Sequence, residues 1–262
     1  MWDGLKLLFV VHLGRRERRL ESKVFLIYLE GESDDALISP ILEYLVKSND
    51  KRRINVEILF GDPFSNLENR RKSGKTIVGE SIQRYLDTNH LHPNDIVYVA
   101  FVTDLDGIYT NTRNYVVGNI SDNDLNENFK YDFNSDNIVC KNDTYKNNLI
   151  KIRQEKARKI ANINSGNRSY SIRRHSIPYG IFYNSINLEH VVLGRLLPDS
   201  QKIENADNIL DRYYDNPDEL VSLFTSKSVS NDYETSWKLA QTNSLGNPLS
   251  NLKILFNNIK HF

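Results

Sequence analysis

A chain of 262 residues with 39% hydrophobic content is long enough for one sizeable core, or for a core with an appended helical part. Its 34 basic and 34 acidic residues cancel, so a nucleic-acid surface has to come from local clustering and not from overall basicity. A single cysteine, Cys140, excludes a disulfide framework and a zinc ribbon.

Residues 1–22 read as an N-terminal extension. Its apolar stretch Leu5 to Leu13 is too short to span a bilayer, has charges on both sides and is followed by no small-residue cleavage site. It is expected to pack on the core as an extra strand or helix of a cytoplasmic protein with no membrane partner. The run Arg15, Arg16, Arg18 and Arg19 reads as solvated surface, with phosphate contact as the other reading. Next comes KVFLIYLEGESDDALISPILEYL, Lys23 to Leu45, in which an apolar run ends abruptly in Glu30-Gly31 and an amphipathic pattern follows. This reads as strand, turn and helix. Ser39-Pro40 resembles an N-cap and a first helical position, predicting a turn over Asp34 to Ile38 and a helix from there to about Lys47. Arg53 to Phe60 alternates like a second strand. Ser73-Gly74-Lys75-Thr76 is no phosphate loop, because Asn69 stands where that motif needs glycine. The basic loop Asn69 to Lys75 reads as surface ahead of a helix over Thr76 to Leu86.

A second buried strand, VYVAFVTDLDG from Val97 to Gly107, ends in Asp104 and Asp106. Tyr109 to Asn147 is rich in asparagine and aspartate and reads as an insertion or a long, mobile excursion. Asp122, Asp124 and Glu127 lack the glycine and terminal glutamate of a calcium loop. From Asn148 the pattern is helical through Leu149, Ile152, Ala157 and Ile160. Lys151, Arg153, Lys156, Arg158 and Lys159 crowd this helix, and Arg168, Arg173, Arg174 and His175 extend the patch around Tyr170. Clustered cations with an aromatic in reach suit a nucleic-acid backbone and a stacked base; a solvated lysine-rich helix is the bland alternative. Pro178 to Tyr183 is a third buried strand, followed by Glu189 and a helical Val191 to Leu196. Helices are expected at Glu204 to Tyr214, from Asn216-Pro217-Asp218-Glu219, at Asp232 to Gln241 and at Asn251 to Lys260. The organisation is thus an extension over 1–22, an α/β core over 23–196 with an insertion at about 109–176, and a helical region over 197–262 that covers the sheet or mediates association.

Acids at the tips of buried strands lie where open α/β sheets place their chemistry. Two residues apart on an extended chain, the Asp104 and Asp106 carboxylates point the same way. With the two strands as neighbours, they converge with Glu30 into a set of oxygens suited to Mg²⁺ or Mn²⁺. Such ions can orient an oxygen nucleophile and neutralise charge at phosphorus. Asp34 reads equally as a ligand of a second ion or as the cap of the turn. No Ser–His–Asp set and no GxGxxG turn is legible; His90, His92 and His190 read as structural or solvated, with His190 set apart by its neighbour Glu189.

An EGxxD motif closing one strand and a DxD closing a later one, here Glu30, Gly31, Asp34, Asp104 and Asp106, resemble the TOPRIM domain. That family includes topoisomerases, bacterial primases, RecR-type recombination proteins, ribosomal-RNA maturases and the overcoming-lysogenisation-defect nucleases. The resemblance implies a Rossmann-like, mostly parallel sheet flanked by helices, and a Mg²⁺- or Mn²⁺-dependent endonuclease acting on RNA such as transfer RNA, or on DNA. It implies catalytic Glu30, Asp104 and Asp106, with Asp34 as a further metal ligand. Glu189 is similar in position to a later acid of the defence-system members, where it is a ligand, a hydrogen-bond partner of one, or simply a first-turn acid favoured by the helix dipole. The single core and lack of ATPase motifs are similar to toxic effectors of anti-phage systems held by a separate ABC-type ATPase; a homodimer is also compatible. The absence of zinc modules argues against a RecR-type protein or a complete topoisomerase or primase, and the helical tail fits a ribosomal-RNA maturase poorly. A non-catalytic module that binds nucleic acid or protein is the other class, and Mg²⁺-mediated binding of a phosphorylated small molecule a third.

Overall fold

The computed structural model describes residues 23–48, 54–121, 124–213, 215–228 and 230–261. The extension over 1–22 with its four arginines, Arg53 and Asp122 lie outside the described residues.

Five strands form the main sheet: β1 (Lys23–Leu29), β2 (Ile54–Phe60), β3 (Ile96–Asp104), a short antiparallel edge strand (Ser169–Ile172), and a long last strand (His175–Asn184). Between β3 and that edge strand the chain builds β4 (Tyr115–Val117), β5 (Phe129–Asp132) and β6 (Asn137–Cys140), so the edge strand is β7 and the last strand β8. The main sheet runs in the order β2-β1-β3-β8-β7, with its first four strands parallel. It is an α/β sheet flanked by helices, compatible with a Rossmann-like arrangement. Parallel strands covered on both faces read as apolar runs, and β1 shows why. Phe25, Ile27 and Leu29 point into one core and Val24 and Leu26 into the other.

The first core is closed by α1 (Glu32–Lys47), α5 (Asp199–Tyr213), α6 (Pro217–Thr225) and α8 (Leu252–His261); the second by α2 (Gly74–Asn89), α3 (Asp143–Asn164) and α7 (Tyr233–Thr242). A short α4 (Leu188–Leu193) follows β8 directly, earlier than the Val191 expected from sequence. Among the described residues no helix is long and apolar enough to cross a membrane.

One expectation fails at α1. The helix does not start at Pro40; it starts at Glu32 and carries Pro40 inside. Leu37 and Ile38 extend the buried stripe of Ile41, Leu42 and Leu45 backwards by a turn, and that burial outweighs the one backbone hydrogen bond a proline removes. Asp34 becomes the N3 residue of the helix, its carboxylate accepting the Gly31 N–H at 3.0 Å. Helix α2 likewise starts earlier than expected, capped by the Ser73 hydroxyl, which accepts the Thr76 N–H at 3.1 Å.

The polar connection between β3 and β8 folds as a second sheet, order β4-β6-β5, with its own small core. Tyr115, Ile138 and Cys140 meet Ile186 and Leu245 from the main body, with Phe129, Tyr131 and Phe133 packed around them. The aromatics dispersed among the asparagines supply the burial, and the main body supplies the rest.

Helix α3 is locked against the start of α2. A Cβ on Gly74 would stand 2.2 Å from the Lys159 carbonyl oxygen and 2.6 Å from Ile163, while the Lys75 N–H donates to Asn162 at 2.9 Å. Gly74→Ala is therefore expected to destabilise the fold by ~1–3 kcal/mol, the usual cost of overpacking, read from the midpoint of urea unfolding.

Candidate active site

In this strand order the chain leaves β1 toward β2 on one side and reaches β3 on the other, which places a crevice at the carboxyl ends of β1 and β3. Glu30 follows β1 and Asp104 ends β3; the Asp104 N–H donates to Glu30 Oε2 at 3.0 Å. Asp106 reaches the same place by a different route from the one its spacing suggests. The extended chain stops at Asp104, the Leu105 and Asp106 N–H groups donate to the Asn184 and Ile186 carbonyls, and Asp106 adopts a left-handed φ of 51°. Its backbone oxygen is held by the Tyr131 hydroxyl at 3.2 Å.

At the centre of these acids lies Lys156. Its ammonium is 3.0 Å from Asp62 Oδ2, 3.6 Å from Asp106 Oδ2 and 3.8 Å from Glu30 Oε2, and its side chain is 5% exposed. Asp62 follows β2 as Asp104 ends β3, and also accepts the Phe64 N–H at 2.7 Å and the Ser65 hydroxyl. Burial works against its charge, but Lys156 and those donors outweigh it and hold the carboxyl below its ordinary range. For Glu30 the balance falls the other way. Burial first, then the Asp62 and Asp106 carboxylates, push it up to about 8 against the pull of Lys156.

A second set adjoins the first. Asp34 is buried, and desolvation together with the neighbouring Glu189 carboxylate raises it to about 7. Glu189 is buried in the first turn of α4. Asp104 is raised well above the carboxylate range by burial and by Asp34, Glu30 and Asp106. Its Oδ1 accepts from Asn184 Nδ2 at 3.2 Å, and the Asn184 Oδ1, fully buried, has no partner. The ammonium of Lys202 lies in the field of Glu189 and Asp104 but is bonded to Asp199 at 2.9 Å. The structure thus brings together the five acids that the sequence assigns to the site, Glu30, Asp34, Asp104, Asp106 and Glu189. It adds Asp62 and Asn184, which the sequence reading missed. Gly61-Asp62 at the tip of β2 carries the same signal as Glu30-Gly31 at the tip of β1; Asn184 carries none.

Among the described residues no three acid, histidine or cysteine side chains close on one point as a ready metal shell. The point on which Glu30, Asp62 and Asp106 converge is taken by Lys156. The donors nevertheless fit a hard divalent cation: they are all oxygens, one buried oxygen (Asn184 Oδ1) is orphaned, and burial and neighbouring carboxylates raise Asp34 and Asp104. His190 is no part of this. Its Nδ1 meets the Ser185 hydroxyl at 3.1 Å, its ring stacks on Phe133, and burial lowers it to about 4, so it stays neutral.

The expected basic patch divides. Arg153, Lys156 and Lys159 are buried and cannot track a nucleic-acid backbone. Arg153 donates to the Tyr131 hydroxyl at 2.8 Å and lies over the rings of Tyr115, Phe129 and Tyr131, and Lys159 donates to the Phe64 carbonyl at 2.7 Å. The helix is rotated from its apolar reading, turning these cations inward and leaving Ile152 58% exposed. Arg173 and Arg174 are exposed in the β7–β8 turn, at the amino end of β8 and thus ~30 Å along the strand from the acids. Lys151 and Arg158 stay on the surface, where with Arg70, Arg71, Gln154 and Glu155 they line an open groove of about 750 Å³. Arg70 is 3.6 Å from Glu155, the groove's one acid. No family model, curated protein or solved structure matches this chain, so any function has to be argued from these residues and their geometry.

Proposed function

We propose that the chain is a metal-dependent endonuclease that hydrolyses phosphodiester bonds of RNA, such as transfer RNA, or of DNA, with Mg²⁺ or Mn²⁺. The observation that carries this reading is six carboxylates gathered at the switch point of a parallel sheet, three of them 3.0 to 3.8 Å from one buried ammonium and three with no ammonium bonded to them among the described residues. Carboxylates crowded out of water in this way need compensating cations. A bound divalent ion supplies an activated water and neutralises charge at phosphorus. Asp34, Asp104 and Glu189 would hold it, with Asn184 orienting Asp104. Glu30, raised into the neutral range, can take up or release a proton at the attacking water near pH 7. Lys156 holds Glu30 and Asp106 in place beside it.

The groove between the loop after β2 and the outer face of α3 is the path for the substrate backbone, because its four cations face one acid. Replacing Arg70, Arg71, Lys151 and Arg158 with glutamine is expected to weaken binding of labelled transfer RNA by the uncleaving Glu30→Gln protein. It should also flatten the slope of log affinity against log salt by ~3, at ~0.7–0.9 per lost phosphate contact. Fluorescence anisotropy between 50 and 200 mM salt, a range of about this order being the informative one, reads both; an unchanged slope removes the groove from the reading.

The test of the activity itself is cleavage of total transfer RNA and supercoiled plasmid by wild type and Glu30→Ala, with Mg²⁺, with Mn²⁺ and with chelator. Metal-dependent cutting that is lost in the variant supports the nuclease; undiminished cutting by the variant sinks the site. The three carboxylates satisfied by Lys156 favour a second reading, a non-catalytic binding module whose ion cluster is structural. That module would bind the polymer and leave it intact with every metal. The wider role as a toxic anti-phage effector restrained by a separate ABC-type ATPase rests on the TOPRIM resemblance. Growth arrest on expression that disappears in Glu30→Ala is its check.

A further inference from the structure

We infer that Lys156 stands in the place of one divalent cation, so that the centre takes a single metal ion, on the side of Asp34, Asp104 and Glu189. The inference rests on the metal-dependent reading above and narrows it. Glu30, Asp62 and Asp106 come from the ends of three different strands or their following turns, and their nearest oxygens surround one nitrogen at 3.0 to 3.8 Å. A lysine can serve there only if it cannot swing away, and α3 is fixed in the turns that follow it. The Lys159 ammonium is tied to the Phe64 carbonyl, the Asn162 side chain accepts the Lys75 N–H, and Gly74 lets the two helices touch. The lysine side chain is itself buried among the acids, so solvent offers it no competing position.

The other three acids have no such partner. Asp34 is engaged by the Gly31 N–H, Asp104 by an asparagine amide, and both are neutral donors. Lys202, in whose field they lie, is bonded to Asp199 and not to any of them. The unpartnered oxygen of Asn184 lies on this side too, beside Asp104. An ion drawn to the Glu30–Asp62–Asp106 side would have to share its shell with a fixed ammonium, and two positive charges at contact distance repel. One entering beside Asp34, Asp104 and Glu189 meets carboxylates and a carbonyl oxygen, and the nearby Lys202 ammonium is paired to Asp199 instead of to these acids.

The experiment counts Mn²⁺ bound per full-length chain, by electron paramagnetic resonance of free Mn²⁺ during titration. Wild type is expected to bind one ion, and Lys156→Met to bind two. Asp34→Asn is expected to lose the wild-type ion, while Asp62→Asn keeps it. Two ions in wild type, or one in both wild type and folded Lys156→Met, overturn the inference and leave the metal-dependent reading standing. Loss of the ion in Asp62→Asn with retention in Asp34→Asn overturns it as well, without requiring the methionine variant to fold. No ion in any form overturns the metal reading and this inference together.

Discussion

Asp104→Ala is expected to lose more than ~100-fold in cleavage while melting at or slightly above the wild-type temperature. Outer-sphere partners of a bound metal already contribute ~10–100-fold, and Asp104 lies inside that sphere in the proposed site. Stability moves the other way because this carboxyl is crowded. Burial and the Asp34, Glu30 and Asp106 carboxylates all oppose its charge, against the pull of Lys156. Removing it relieves that repulsion and forfeits one hydrogen bond from Asn184, worth ~1 kcal/mol. Asp104→Asn separates the two effects, since its amide oxygen can still accept from Asn184 but carries no charge. Both variants would be run in the plasmid and transfer-RNA assays and in thermal melts with chelator. Cleavage at the wild-type rate would remove Asp104 from the site. A loss of more than ~3 kcal/mol would instead make it a structural anion, the half of a buried pair whose removal strands its partner.

The acids were legible because strand tips obey a short-range rule. An apolar run ending in a charge marks the carboxyl end of a buried strand, and Glu30 and Asp104 needed only the adjacency of β1 and β3 to meet. Asp62 obeys the same rule behind a strand whose half-buried Asn55 and Glu57 interrupt the apolar run, which hides the signal. The lysine at the centre was illegible for a different reason. Binary patterning assumes that cations face water, and on α3 that assumption assigned Arg153, Lys156 and Lys159 to the surface. In the fold a tyrosine cluster, an acid cluster and a backbone carbonyl turn all three inward. Each of those partners is far away in sequence, so no local window contains the reason. Pro40 misled in a similar way, since the breaker is local and the burial that overrides it is not.

The metal-free protein is expected to lose stability as pH rises from about 5 to about 8, and added Mg²⁺ is expected to restore more of it at the upper end. Glu30 and Asp34 are raised in the folded state to about 8 and about 7, mainly by burial, against ordinary carboxylate values near 4 in the unfolded chain. A group raised on folding binds its proton more tightly in the native state. Its contribution is complete below the unfolded value and is lost as pH climbs through the folded one. Lys156 stays charged throughout this window, and Asp62, lowered by folding, loses its contribution only as pH falls through its own range on the acid side. The melting temperature in chelator should therefore peak near pH 5 and fall by several degrees toward pH 8, at the ~2–4 °C per kcal/mol usual for chains approaching this size. A divalent ion binds only the ionised acids, so its stabilising shift should grow over the same interval. Glu30→Gln should flatten the upper part of the profile, since it removes a group that titrates there without removing the side chain. A profile flat from pH 5 to 8, or a Mg²⁺ shift of equal size at both ends, would mean that these carboxyls are satisfied without a cation and would leave Lys156 as the cluster's sole counterion.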